Sequence, residues 1–226
     1  MSEWKRNAKF WSRNMLENLI LIVVISFVIM VFLGLQTSPE TVGGWGNMVA
    51  VTLRQYPYYL TLTGGFLMLI ASMGYFQTYI PLLVSFNNSR RATIAGLICS
   101  MSGVTVIVGI LSFLIFHFTP EVGNTSGQYW MPLMVGSMFL QEGLSLIFGV
   151  VVTRWGKIGT MVFTVLIVIA AALFGMGVAT GGVDIPLEII NKIGMNPWLG
   201  LVAGLVVFAA GGVVSLVATR KLEVRI

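Results

Sequence analysis

Six long apolar stretches, separated by short polar breaks, set the pattern of this chain. A helix needs about 20 mainly apolar residues to cross a bilayer. The stretches that meet this cover roughly 17–35, 58–84, 92–118, 131–153, 158–180 and 197–219. The first contains LILIVVISFVIMVFLGL. The fourth, MPLMVGSMFLQEGLSLIFGVVV, is the least hydrophobic and carries Glu142 in mid-span. The second is long and holds Pro81 near its end, which predicts a tilt or a kink there. The predicted fold is all-α integral membrane: one transmembrane domain over 1–226 with six transmembrane helices.

The breaks carry weaker periodic signals. In MSEWKRNAKFWSRNMLENLI, Trp4, Ala8, Trp11 and Met15 share a helical face beside Lys5 and Lys9. Tryptophans with basic neighbours predict a separate helix over 1–16 lying in the membrane interface. Trp45, Met48, Val49, Thr52, Leu53 and Tyr56 form a helical stripe in the connection 36–57 and predict a second interfacial helix on the other side. In GGVDIPLEIINKIGMNP, Pro186 suits a first helical turn and Gly194 a C-terminal stop, which predicts a short apolar helix over 184–194.

Composition and charge sharpen this picture. The chain is 57% hydrophobic and 9% charged, against about a quarter charged in ordinary soluble domains. Too few charges exist to cover a soluble surface. The net charge of +5 therefore reports orientation rather than nucleic acid. Six spans put both termini on one side. With that side cytoplasmic, the inside segments hold Lys5, Arg6, Lys9, Arg13, Arg90, Arg91, Arg154, Lys157, Arg220, Lys221 and Arg225, which is eleven of the 13 basic residues. Only Arg54 and Lys192 fall outside. A wrong span count would scramble this alternation. The expected location is the plasma membrane, multi-pass, with cytoplasmic termini. The first apolar run is read as a retained helix, because QTSPETVGG after it offers no small-residue cleavage site.

Candidate chemistry is sparse. One cysteine, Cys99, and one histidine, His117, supply neither an intrachain disulfide nor a metal site. The inside connections, about 85–91 and 153–157, leave no room for a soluble catalytic unit. GGWG at 43–46 lacks the ending of a phosphate loop. The chain is thus not expected to be an enzyme. Glu142 is the one acid in mid-span. A charged carboxylate there costs several kcal/mol, so it must face the bundle interior or water, or be protonated. Two readings stand: a residue of a translocation path, with Gln141 and Gln77 as polar companions, or a structural acid between helices or subunits. The glycines of the last span, Gly200, Gly204, Gly211 and Gly212, permit close helix contact.

The connection SFNNSRRATIAG, residues 85–96, concentrates two arginines in a very short break. It reads as a topology signal or as a docking surface for a soluble partner. The basic, aromatic N-terminal segment, the six spans, Ser89-Arg90-Arg91 followed by Gly96, and RKLEVRI straight after the last span occur together. In this order the chain resembles the permease subunits of ABC-2 type ABC transporters, with a type V exporter-like transmembrane domain. Asn87-Asn88 stands where that family often has glycine.

The resemblance implies a dimer with a second permease subunit, homo- or heteromeric. It implies a separate ABC ATPase that binds ATP and Mg, with no cofactor on this chain. It also implies that a coupling helix over about 84–91, comprising Phe86, Asn87, Asn88, Ser89, Arg90 and Arg91, docks that ATPase. The implied function is ATP-driven export of a peptide or another amphipathic or hydrophobic substrate. The alternatives are a non-transporting membrane sensor, immunity or scaffold protein, and a secondary transporter using Glu142. No inverted repeat supports the last. The lipid bilayer is an expected partner in every case; nucleic acid is not.

Overall fold

The computed structural model describes residues 3–34, 44–85, 89–119, 127–180 and 196–218. Its elements are α1 (Glu3–Gly34), α2 (Trp45–Gly74), a π-helical turn (Tyr75–Tyr79), α3 (Ile80–Ser85), α4 (Arg90–Phe118), α5 (Gly127–Thr180) and α6 (Pro197–Ala218). No strand occurs among the described residues. Among the described residues, five stretches are long and apolar enough to cross a membrane: Asn7–Phe32, Trp45–Val84, Arg90–Phe118, Met131–Gly156 and Pro197–Ala218. The fifth predicted span, 158–180, is helical backbone in the second part of α5. The predicted helix at 184–194 lies outside the described residues, as do 86–88 and 219–226.

Two predicted boundaries are corrected. Residues 3–16 are not a separate helix: α1 continues without a break from Glu3 to Gly34. Nothing in KFWSRNMLENL breaks a helix, and Trp11 is pulled into the bundle at 3% exposure rather than left at an interface. The stripe at 45–56 is helical as predicted, but it is the first part of α2 and runs straight into the second span despite Pro57. The predicted irregularity near Pro81 is present and has a clear form. Proline has no N–H, and its ring crowds the carbonyl four residues back, that of Gln77. The helix widens just before it. The Ile80 N–H bonds the Tyr75 carbonyl, five residues back, which makes the π turn.

Side chains are sorted the way a bilayer sorts them. Leu16, Ile20, Val24, Phe27, Val28 and Val31 stand exposed along one face of α1, and Val202, Val206 and Val213 do so on α6. Buried positions include Ser26, Thr61, Ser72, Ser100, Thr105, Ser112, Ser145 and Ser215. Water drives large apolar groups inward. A hydrocarbon solvent gives no such drive, so small and polar residues that let helices approach take the interior. Several hydroxyls satisfy themselves on their own helix, as Ser72 does on the Leu69 carbonyl at 2.8 Å and Ser145 on the Glu142 carbonyl at 2.7 Å.

Pairwise contacts fix the direction of each helix. Gly34 lies against Thr52, and Tyr56 donates to the Val23 carbonyl at 3.1 Å, so α1 and α2 are antiparallel. Trp11 sits on Gly96 and Met15 on Gly103, so α1 and α4 are parallel. Thr105 meets Glu142, and Gly109 meets Val135, which makes α4 and α5 antiparallel. Gly65 meets Gln141 and Gly149 meets Phe76, so α2 and the first arm of α5 are parallel.

The same arm is parallel to α6, in a register kept from Gly136 on Gly204, through Gly143 on Gly211, to Ser215 Oγ donating to the Leu146 carbonyl at 3.0 Å. The chain reverses inside α5 at Gly156 (φ 57°, ψ −131°), a backbone conformation open to glycine. A Cβ on Gly159 would lie 3.0 Å from the Val151 carbonyl oxygen and 3.1 Å from Val152 Cα. In a straight helix, residues eight apart are about 12 Å distant.

This arrangement defines two ends. One gathers the start of α1, the π turn, α3, the start of α4 and the Gly156 turn. It carries Lys5, Lys9, Arg13, Arg90, Arg91 and Arg154, and is called the basic end here. Arg54 belongs to the other end. His117 is there too, exposed and stacked on Phe113.

Candidate functional site

At the basic end, α1 is clamped onto its neighbours. The Trp11 ring fills the notch left by the missing side chain of Gly96, and Ser100 Oγ donates to the Trp11 carbonyl at 3.3 Å. Phe10 and Tyr75 flank Trp11 edge-on, with ring centroids 5.1 and 5.5 Å away. The Tyr75 hydroxyl hydrogen-bonds Asn18 and also donates to Asn14 Oδ1 at 3.2 Å. The clamp predicts a specific mutant pattern. Gly96→Val displaces Trp11 and lowers the thermal midpoint in detergent, by an overpacking cost of about 1–3 kcal/mol. Combined with Trp11→Ala, the same change adds almost nothing, because the seat is then empty. A fully additive pair in melting experiments would rule the clamp out.

The predicted docking segment is placed in part. Ser89 is the N-cap of α4: its side chain accepts from the Ala92 N–H at 3.3 Å, and its carbonyl receives the Thr93 N–H at 3.0 Å. Arg90 and Arg91 are thus not in a separate coupling helix but in the first turn of α4. That is the positive end of the helix dipole, which disfavours cations by roughly 0.3–1 kcal/mol each. Phe86, Asn87 and Asn88 lie outside the described residues.

The other candidates are divided between two places. Gln77 belongs to the basic end, on the π turn, where its Nε2 donates to Thr160 Oγ1 at 2.7 Å. Glu142 is in the interior, fully buried, with Thr105 Oγ1 donating to its Oε1 at 2.6 Å. Its Oε2 is buried without a hydrogen-bond partner. Glu142 is level with Gly65 of α2, through Gln141, and Gly65 is twelve residues before Gln77, or about 18 Å along a helix. The structure therefore separates Gln77 from Glu142. Around Glu142, three consecutive residues of α5 each meet a different helix. The Gln141 amide fills the notch at Gly65 of α2, Glu142 bonds Thr105 of α4, and Gly143 lies against Val207, Phe208 and Gly211 of α6. Successive helical residues point about 100° apart, so one turn of α5 can hold three neighbours.

Sequence reasoning did not find Thr105, the Trp11–Gly96 seat, or Tyr75 as a tie between α1 and the π turn. One signal was available: Gly136–Gly143 and Gly204–Gly211 repeat the same seven-residue spacing. Among the described residues no cluster of His, Cys, Asp or Glu could hold a metal ion.

An all-helical bundle with several long, lipid-suited helices and polar groups turned inward is compatible with a multi-pass membrane protein. The chain matches no family model, no curated protein and no solved structure.

Proposed function

We propose that the chain is the permease subunit of an ATP-driven ABC-2 type transporter, crossing the plasma membrane six times with cytoplasmic termini. Two packing relations support the sixth crossing. The first arm of α5 ends at the basic end while α6, parallel to it, starts at the other, and the chain turns back at Gly156; both favour a further crossing between Gly156 and α6. The gathering of Lys5, Lys9, Arg13, Arg90, Arg91 and Arg154 at one end supports the orientation, since such residues are retained on the cytoplasmic side.

The observation that carries the reading is the clamp of Trp11 on Gly96. It ties the N-terminal segment rigidly to the helix that starts at Ser89. A push delivered to the short connection before Ser89 moves α4 and α1 together. From α4 it reaches α5 through Thr105 and Glu142, and from α5 it reaches α6 through Gly143. A short, basic, mechanically stiff end of this kind suits docking of a separate ATPase, which would bind ATP and Mg. Arg90 and Arg91, in the first turn of α4, offer positive charge to an acidic partner surface and to the membrane headgroups. The permease works as a dimer, and its cargo is a peptide or another amphipathic or hydrophobic molecule, in keeping with a bundle short of charged walls.

Affinity purification of the native protein should bring down an ATPase subunit. Arg90→Glu with Arg91→Glu should reduce that association at least about tenfold, the loss of roughly 1.4 kcal/mol, while cysteine-accessibility mapping finds the topology unchanged. Purification without any ATPase would overturn the proposal and favour a sensor, immunity or scaffold role. An inverted topology in the double mutant would make the arginines a topology signal only.

A further inference from the structure

The π turn does at the basic end what residues 141–143 do in the interior. Tyr75 bonds Asn14 and Asn18 of α1. Phe76 fills the notch at Gly149 on the first arm of α5. Gln77 bonds Thr160, beyond the reversal at Gly156. The Thr160 hydroxyl that accepts from Gln77 at 2.7 Å also donates to the carbonyl of Gly156 at 3.2 Å. A chain of two hydrogen bonds thus runs from the π turn to the residue about which α5 folds back.

The hinge and the bond differ in kind. Gly156 holds a positive φ suited to glycine, and a Cβ there would meet no atom within 4 Å, so the position is constrained by its torsions and not by packing. Gln77 is exposed, unlike its neighbours Tyr75 and Phe76. Just past the turn, Ile158 and Met161 are about 70% exposed, so little apolar packing holds this first part of the second arm to the rest of the bundle. The extra residue of the π turn shifts the helical phase of α3 against α2 by about 100°.

We propose that the Gln77–Thr160–Gly156 relay is a latch. It fixes the angle at which the second arm of α5 leaves the turn, so that a displacement of the π turn and α3 is passed to that arm by rotation at Gly156. The latch does not depend on the transport reading; it holds for this bundle whatever its partner.

The experiment is a spin–spin distance measurement on the full chain in lipid nanodiscs. Nitroxides are placed at Thr78→Cys and Met161→Cys, both exposed, in a Cys99→Ser background. The parent should give one narrow distance. Gln77→Ala and Thr160→Val should each add a second, longer population, displaced by about 5 Å, one helical turn. Thr160→Ser keeps the hydroxyl and should restore the single peak. Unchanged distributions in both truncations would overturn the proposal. So would an effect of Gln77→Ala without a matching effect of Thr160→Val, because the bond itself would then not be what holds the arm. Both truncated side chains are at least partly exposed, and melting curves matched to the parent's show that a broadened distance is not general unfolding.

Discussion

Gly204→Val will drive α5 and α6 apart and leave little folded protein. A side chain at Gly204 would overlap the carbonyl of Gly136. The obstacle is backbone, which cannot swing aside as a flexible side chain does. The site does not stand alone. A Cβ on Gly136 would come within 2.6 Å of Leu201 Cα, and one on Gly143 within 2.6 Å of the Val207 carbonyl and the Phe208 nitrogen. Gly211 meets the carbonyl of Gly143. The two helices are therefore in backbone contact at both ends of a seven-residue spacing. Overpacking a core costs about 1–3 kcal/mol where side chains can yield; here the cost should exceed that range. The measurement is the thermal midpoint and the yield of monodisperse protein in detergent. Gly212→Ala is the control, since its Cβ would meet only Ile98 Cδ1, at 3.4 Å. Equal behaviour of the Gly204 and Gly212 variants would mean that the glycine seam does not hold α5 to α6.

Glu142→Lys should be as damaging, for an electrostatic reason. An ammonium at the helix centre costs about 2.5–3.5 kcal/mol on insertion scales, and only Thr105 among the described groups bonds this position. Glu142→Met should be neutral or stabilising to the fold. It fills a similar volume, removes the partnerless Oε2, and leaves Thr105 free to bond a carbonyl of its own helix. Melting curves of the two variants test this directly. A Met variant that is much less stable than the parent would show that the carboxyl itself holds α4 to α5. Under the proposed transport function, a Met variant that folds well but moves no cargo would give Glu142 a part in that cycle beyond packing.

The bilayer makes some features legible from the sequence. Apolar length and the alternation of basic breaks predict long lipid-crossing helices, because a hydrocarbon solvent demands both irrespective of how the helices pack. Pro81 predicts an irregularity, because a missing N–H acts locally. The placement of partners is not local. That Gln77 meets Thr160 while Glu142 meets Thr105 depends on which helices are neighbours and in what register. The same holds for Trp11. Its spacing with Trp4 and Met15 describes a surface helix equally well, and only the notch at Gly96, 85 residues away, turns the ring inward.

By itself, the sequence determined that the chain is helical with stretches long and apolar enough to cross a membrane, where its strongest helices run, and which breaks carry positive charge. Those properties follow from solvent transfer and backbone chemistry, summed residue by residue. The tertiary structure alone decided that α1 and α2 continue unbroken through their predicted boundaries. It also decided that three consecutive residues of α5 grip three helices, and that Arg90 and Arg91 open α4 rather than forming a loop. Each of these is settled by contact between residues far apart in the chain, where a missing Cβ on one helix decides how close another can come.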